Sequence, residues 1–272
     1  MKTMQQLPSL DSGYAVSADQ KASYQANGHV LLRNIISEHE MDAYRPVILD
    51  AADRYNTEKR KMEDRDTYGK AFLQIMNLWE VDEAVRKFTL AKRLAQIAAD
   101  LMGVKNVRLY HDQALFKEAG GGHTPWHQDQ YYWPLNTDNT ITMWMPLVDI
   151  DIDMGMLTFA SGSQELGYLG NLDISDTSEA VLSDLVKEKG YPISRAETMQ
   201  AGDATWHSGW TLHAAPGNGS GLRREVMTVI FMDAEADIIE PRNSHQKADL
   251  ARWLQNYPIG GKAASELNPL LL

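Results

Sequence analysis

The sequence predicts a mainly β protein with flanking helices: a jelly-roll double-stranded β-helix entered through an N-terminal helical part. Two observations carry this. Helical periodicity and cap signals fill the chain as far as Gly103, and from Val104 short apolar or alternating runs separated by Gly- and Pro-rich turns take over. Helices followed by about seven short strands fit a double-sheet β core with helices packed outside it. A third observation is size, since 272 residues at 43% hydrophobic suffice for one domain spanning 1–272. Within it we expect a helical part at about 1–103, a β core at about 104–234 and a C-terminal helical tail at about 235–272.

Taken in order, residues 18–28 read as a short helix ended by Gly28. The β-branched run HVLLRNII (29–36) reads as a strand. Ser37 followed by Glu38 and Glu40 reads as a cap leading into a helix over 40–60, with Pro46 near its start or kinking it. Residues 82–102 form a second amphipathic helical region closed by Gly103. VRLYHDQALFKE (107–118) alternates with period two, as a strand does, and GGG at 120–122 breaks it. Strands are expected at 140–151 and 156–164, around the Gly202–Asp203 turn within 197–217, and at 224–234. The polar, helical stretch 171–190 is an excursion from the sheet and a candidate lid. Residues 244–256 read as a helix.

Composition excludes several classes. The net charge of −11 argues against nucleic acid or an anionic membrane as partner, while leaving an anionic small molecule open. With no cysteine there is no disulfide, thiolate–zinc site, iron–sulfur cluster or cysteine nucleophile. The N-terminal residues lack an apolar signal core, and no stretch approaches the ~18 apolar residues of a membrane span. These features point to a cytoplasmic protein. NGS at 218–220 matches a glycosylation acceptor, a match that carries little without a secretory signal.

The chemistry concentrates in HTPWHQDQYYWP (123–134). His127 and Asp129 stand two apart, so on an extended segment both side chains point the same way. A converging His and carboxylate are two thirds of an iron-binding facial triad. The third ligand must be a distant histidine. His29 and His39 belong to the helical front as surface or packing residues, and on spacing alone His207 and His213 stand even. HAAPGNGSGLRRE runs on from His213 into a strand that opens with Arg223 and Arg224. A dicarboxylate co-substrate needs a fixed cation of this kind, because a guanidinium grips a carboxylate through two parallel N–H donors.

Three segments, PWHQDQYYWP (125–134), TMWMPLVDIDIDMGMLTFASGS (142–163) and GDATWHSGWTLHAAPGNGSGLRREVMTVIFM (202–232), together resemble the phytanoyl-CoA dioxygenase-like Fe(II)/2-oxoglutarate oxygenases, whose core is cupin-like. NGHVLLRNIISEHEM (27–41) resembles that family's N-terminal entry. The resemblance implies iron ligands at His127, Asp129 and His213, and a 2-oxoglutarate-binding arginine at Arg224 rather than Arg223. It also implies Lys117 and Trp144 near the co-substrate. Period-two alternation then turns His111, Gln113 and Leu115 the same way as Lys117, and Thr142 the same way as Trp144. We take Gln113 and Thr142 as co-substrate contacts and His111, Gln130 and Trp133 as substrate contacts. His123, Trp126, Tyr131 and Tyr132 crowd the same mouth.

Two departures stand out: Gln164 occupies a turn position where many relatives have His, and Ala215 stands where many have Ser. Asp129 is intact, which argues against halogenation. The implied reaction uses Fe(II), 2-oxoglutarate and O2 to hydroxylate an unactivated C–H of a small molecule, releasing succinate and CO2. No protein base is needed. Desaturation, epoxidation or ring closure by the same oxidant, or a metal-bearing isomerase on the same barrel, are the alternatives.

Overall fold

The computed structural model describes residues 7–272; the expectation for the extreme N-terminus, residues 1–6, lies outside them. Helix α1 (Ala18–Asn27) opens on a reciprocal cap between Ser17 and Gln20 and ends at Gly28. Strand β1 (His29–Leu32) stops at Leu32 rather than Ile36. The cause is Asp203, whose carboxylate accepts from the Asn34 N–H at 2.8 Å and from Arg33 at 2.8 Å, bending the chain with Asn34 at φ 52°. The turn opposite needs glycine: Gly202 has φ +89°, its carbonyl accepts from the N–H groups of Ile35 and Ile36, and a Cβ there would strike the Ile36 carbonyl.

Helix α2 (Glu38–Tyr55) carries the expected capping box, Ser37 with Glu40, and keeps Pro46 inside, but ends at Asn56 instead of reaching Arg60. Short elements α3 (Thr67–Ala71), β2 (Leu73–Met76) and α4 (Leu78–Val81) follow, β2 being a strand the sequence reading missed. The region 82–102 is two helices, α5 (Glu83–Thr89) and α6 (Lys92–Met102), parted at Leu90–Ala91. After Gly103 come β3 (Val107–Lys117), β4 (Thr124–His127), β5 (Thr140–Pro146), β6 (Ile150–Asp151) and β7 (Thr158–Ala160). The excursion is helix α7 (Asp176–Lys189), and β8 (Ile193–Arg195), β9 (Thr198–Met199), β10 (Ala204–Ser208), β11 (His213–Ala215), β12 (Arg224–Asp233) and α8 (Ser244–Arg252) complete the chain. Among the described residues, no helix is long and apolar enough to cross a membrane.

The strands form antiparallel sheets. A major sheet runs β1-β10-β5-β12-β3-β2, a minor sheet β4-β11-β7-β8, and β6 pairs with β9. Alternation divides the major sheet cleanly. Met143, Met145, Trp206, Met227, Val229 and Phe231 face α2, α5 and α6 in the main core, while Thr142, Trp144, His207, Arg224 and Thr228 face a cavity shared with the minor sheet.

One polar group ties the helices to this frame. Asp112, fully buried on the helical face of β3, accepts from the N–H groups of Leu78 (2.9 Å) and Trp79 (3.1 Å) and from the Thr89 hydroxyl (2.8 Å). It therefore caps α4 from another element. Asp112→Ala strands two buried N–H donors and is expected to destabilise the protein by about 2–4 kcal/mol. Denaturant unfolding would measure this, and an unchanged midpoint would refute it.

Candidate metal centre and its cavity

The two sheets meet at a cavity of about 260 Å³. His127 ends β4 and His213 opens β11, and the two are cross-strand partners in register. Asp129 lies just past the strand and begins a 3-10 turn, Asp129–Tyr132. Gln128 keeps extended backbone angles (φ −123°, ψ 128°), so the same-side relation of His127 and Asp129 survives the end of the ladder.

Each histidine has its tautomer fixed. His127 Nδ1 lies 2.8 Å from the Pro125 carbonyl and His213 Nδ1 2.9 Å from that of Thr211. Both therefore carry their proton on Nδ1 and aim the Nε2 lone pair inward. The two Nε2 atoms each lie 3.6 Å from Asp129 Oδ1, and the three donors fall within 4.8 Å of one another. The second carboxylate oxygen, Oδ2, accepts from the Thr142 hydroxyl at 2.8 Å and faces His207 Nε2 at 3.2 Å. One oxygen is left for a metal while the other is held in place. Burial pushes the Asp129 carboxyl up, but His213, His127 and His207 together outweigh it and hold the group well below the usual carboxylate range. Burial first, then the neighbouring His127 and His207, keep His213 neutral, as a metal ligand must be. Two imidazoles and one carboxylate oxygen on one side of an open cavity fit Fe(II) with vacant positions.

At the far end, Arg224 and Lys117 are register partners on β12 and β3, and both are buried. Among the described residues neither has a carboxylate partner. Arg224 donates to the Gly155 carbonyl and stacks 5.1 Å from the Trp144 ring, and its Nε has no partner. Gly155 is required here, since at φ +78° a Cβ would meet the Pro216 carbonyl and crowd the Lys117 side chain. Burial lowers Arg224 to about 9, and burial together with Arg224 lowers Lys117 to about 7. Arg223, on the opposite face, pairs with Glu225 at 3.0 Å.

A scan against family models matches residues 24–226 to phytanoyl-CoA dioxygenase (PhyH). This chain belongs to the phytanoyl-CoA dioxygenase family. With the His127–Asp129–His213 set in place, it is an Fe(II)- and 2-oxoglutarate-dependent oxygenase. A probable alpha-ketoglutarate-dependent hypophosphite dioxygenase of Stutzerimonas stutzeri is 22% identical over 80% of this chain and 79% of its own length. Among solved structures, the non-heme alpha ketoglutarate dependent carbocyclase SnoK from nogalamycin biosynthesis superposes with a TM-score of 0.75 at 24% identity, covering 94% of this chain and 97% of that one. The epimerase SnoN of the same biosynthesis gives 0.74 at 22%, covering 93% and 98%.

The family member's cavity wall contains His111, Gln113, Trp133, Thr142 and Trp144. Lys117 lies behind the wall, its ammonium donating to the Gly122 carbonyl. Gln130 is also outside it. Its amide donates to the Thr137 carbonyl at 3.0 Å and accepts from the Thr140 hydroxyl, so it braces the turn and is not free for substrate. His123 is exposed, Trp126 packs beneath α7, and Tyr131 meets Tyr132 edge to face; Tyr132 reaches the cavity. His29 packs at the edge of the major sheet, 2.8 Å from Ser161 and stacked on Phe159. Gln164 is a turn residue, bonded to the carbonyls of Gln25 and Ala26. Asn218 spends its amide on the carbonyls of Lys117, Glu118 and Leu222, which closes it to glycosylation.

Sequence reasoning missed the outer wall: Tyr68, Phe72 and Gln74 around β2, Ile174 before α7, and Asp249, Arg252 and Trp253 at α8. Only the helical periodicity at 244–256 hinted at any of it. α7 itself inserts Leu182 and Val186 beside Ala160 and Leu212, and Glu179 accepts from the Trp126 N–H at 2.9 Å.

Proposed function

We propose that this oxygenase hydroxylates an unactivated C–H of a small organic molecule on a double-stranded β-helix core, with Arg224 gripping the distal carboxylate of 2-oxoglutarate. One observation carries the co-substrate assignment: among the described residues two buried cations, Arg224 at the end of the iron cavity and Lys117 just behind its wall, have no carboxylate partner. Buried charges are kept only where something pairs with them, and a dicarboxylate supplies that partner. A metal-bearing isomerase has no use for such a pair.

His127, Asp129 and His213 would hold the iron, which with 2-oxoglutarate and O2 supplies an oxidant for the substrate, succinate and CO2 being the co-products. The rest falls to the chain. Trp144 stacks on the Arg224 guanidinium and keeps the fork in one plane. Thr142 and His207 restrain the Asp129 carboxylate. Gln113, whose side-chain oxygen accepts from the Gln74 amide at 2.6 Å, lines the cavity wall. Tyr132, Trp133 and Trp253 exclude water from the target carbon. We assign no general base.

The test is anaerobic Fe(II) and 2-oxoglutarate, which together should give a visible metal-to-ligand absorption band. Its absence would overturn the reading. A second outcome, ring closure or epimerisation in place of hydroxylation, is favoured by the near-complete coverage shared with the carbocyclase and the epimerase. Product analysis separates the two.

A further inference from the structure

The outer end of the cavity holds a group that oxygen chemistry does not use. Helix α8 closes that end with Asp249 and Arg252, followed by Trp253, opposite Phe72, Tyr132 and Trp133. α8 lies beyond the family-matched residues 24–226. Asp249 is half-buried in this aromatic wall. Its Oδ2 accepts from the Tyr110 hydroxyl at 3.0 Å, and among the described residues its Oδ1 has no hydrogen-bond donor.

A backbone irregularity puts Tyr110 there. Along β3 and β12, His111 pairs with Ile230 and Leu109 with Phe231, leaving Tyr110 as the extra residue of a bulge. Bulges re-aim side chains. Here Tyr110 reaches Asp249 while its neighbour His111 stays in the cavity wall.

We infer that Asp249 anchors the ammonium group of an amine-bearing substrate, held against the aromatic faces of the outer cavity. The inference rests on the oxygenase reading and adds the substrate class. The nearest charged and titratable groups leave room for it. Arg252, one turn along, makes no ion pair with Asp249; it is exposed, with its guanidinium stacked 4.2 Å from the Trp253 ring centre. His111 is kept neutral by burial, at about 3, and its Nδ1 has no partner. Burial pushes the Asp249 carboxyl up to about 7, outweighing the Tyr110 hydrogen bond and the charge of Arg252, neither of which fully compensates the carboxylate. A ligand ammonium would do so, and aromatic faces favour the same cation. A neutral hydroxyl would leave the charge uncompensated. Arg224 and Lys117 lie at the opposite end, at the co-substrate, while Asp249 is the carboxylate of the mouth, with Arg252 turned onto the Trp253 ring.

The experiment uses the enzyme loaded anaerobically with Fe(II) and 2-oxoglutarate, with benzylammonium and its neutral isostere benzyl alcohol as probes, followed by calorimetry and by the visible band. The wild type should bind benzylammonium at least about 10-fold more tightly than benzyl alcohol, a difference that corresponds to one charged contact. Asp249→Asn, which keeps an acceptor for Tyr110, should erase the preference while the visible band remains. Tyr110→Phe should weaken the preference without abolishing it. Equal affinities, binding of neither probe by enzyme that shows the band, or a preference that survives Asp249→Asn would overturn the ammonium site. A preference seen without the band would support the site and count against the co-substrate reading alone.

Discussion

Asp129→Ala is expected to lower Fe(II) affinity by more than about 100-fold and to abolish 2-oxoglutarate turnover, since even outer partners of metal ligands are worth about 10–100-fold. The variant removes the only anionic donor of the set and leaves two imidazoles on one side of the ion. The fold should tolerate it. Thr142 and His207 lose an acceptor, at about 1–3 kcal/mol, but a buried charge disappears with it, and Asp129 stands outside the strand ladder. Anaerobic Fe(II) titration alongside thermal unfolding separates the two effects. Iron binding as tight as in the wild type would refute the assignment of this carboxylate.

Arg224→Ala is expected to weaken 2-oxoglutarate by about 100- to 1,000-fold, or about 3–4 kcal/mol, the loss seen when one partner of a buried, hydrogen-bonded charge pair is truncated. Arg224→Lys should fall between, because it restores the charge without the two-pronged fork. Lys117 adds a pH dependence. Burial and Arg224 bring its amine down to about 7, so it is neutral above that pH and charged below it. A dianion bound nearby favours the charged form. Affinity for 2-oxoglutarate should therefore rise as pH falls through about 7, with proton uptake on binding above it. Calorimetry in buffers of differing ionisation enthalpy measures that uptake, and Lys117→Met should remove it. A pH-independent affinity would exclude Lys117 from the site.

The parts of this site legible in the sequence were those fixed by local geometry. His127 and Asp129 are two residues apart with an extended residue between, so their convergence needed no tertiary information. Arg224 could be told from Arg223 by resemblance, and strand alternation on β12 agrees, burying one and pairing the other with Glu225. What stayed hidden depends on distant packing. The turn at Asn34 exists because Asp203 reaches across from another strand. β2 has no clear alternation and forms because β3 offers it an edge. Gln130 reads like a pocket residue until Thr137 and Thr140 claim its amide. The outer wall is assembled from α3, α8 and the chain before α7, and no spacing in the sequence connects them.

The pairing of His127 with His213 across β4 and β11 has a consequence for assembly. These strands are only four and three residues long, too short to define their own alignment strongly. A slip of one residue would turn one imidazole to the other face and leave no chelating pair. Iron held by this proposed pair would bind only the correctly aligned ladder, and by mass action would add its binding free energy to that alignment alone. It would then act as a proofreader of strand pairing as well as a reagent, since a chain paired wrongly could not load it.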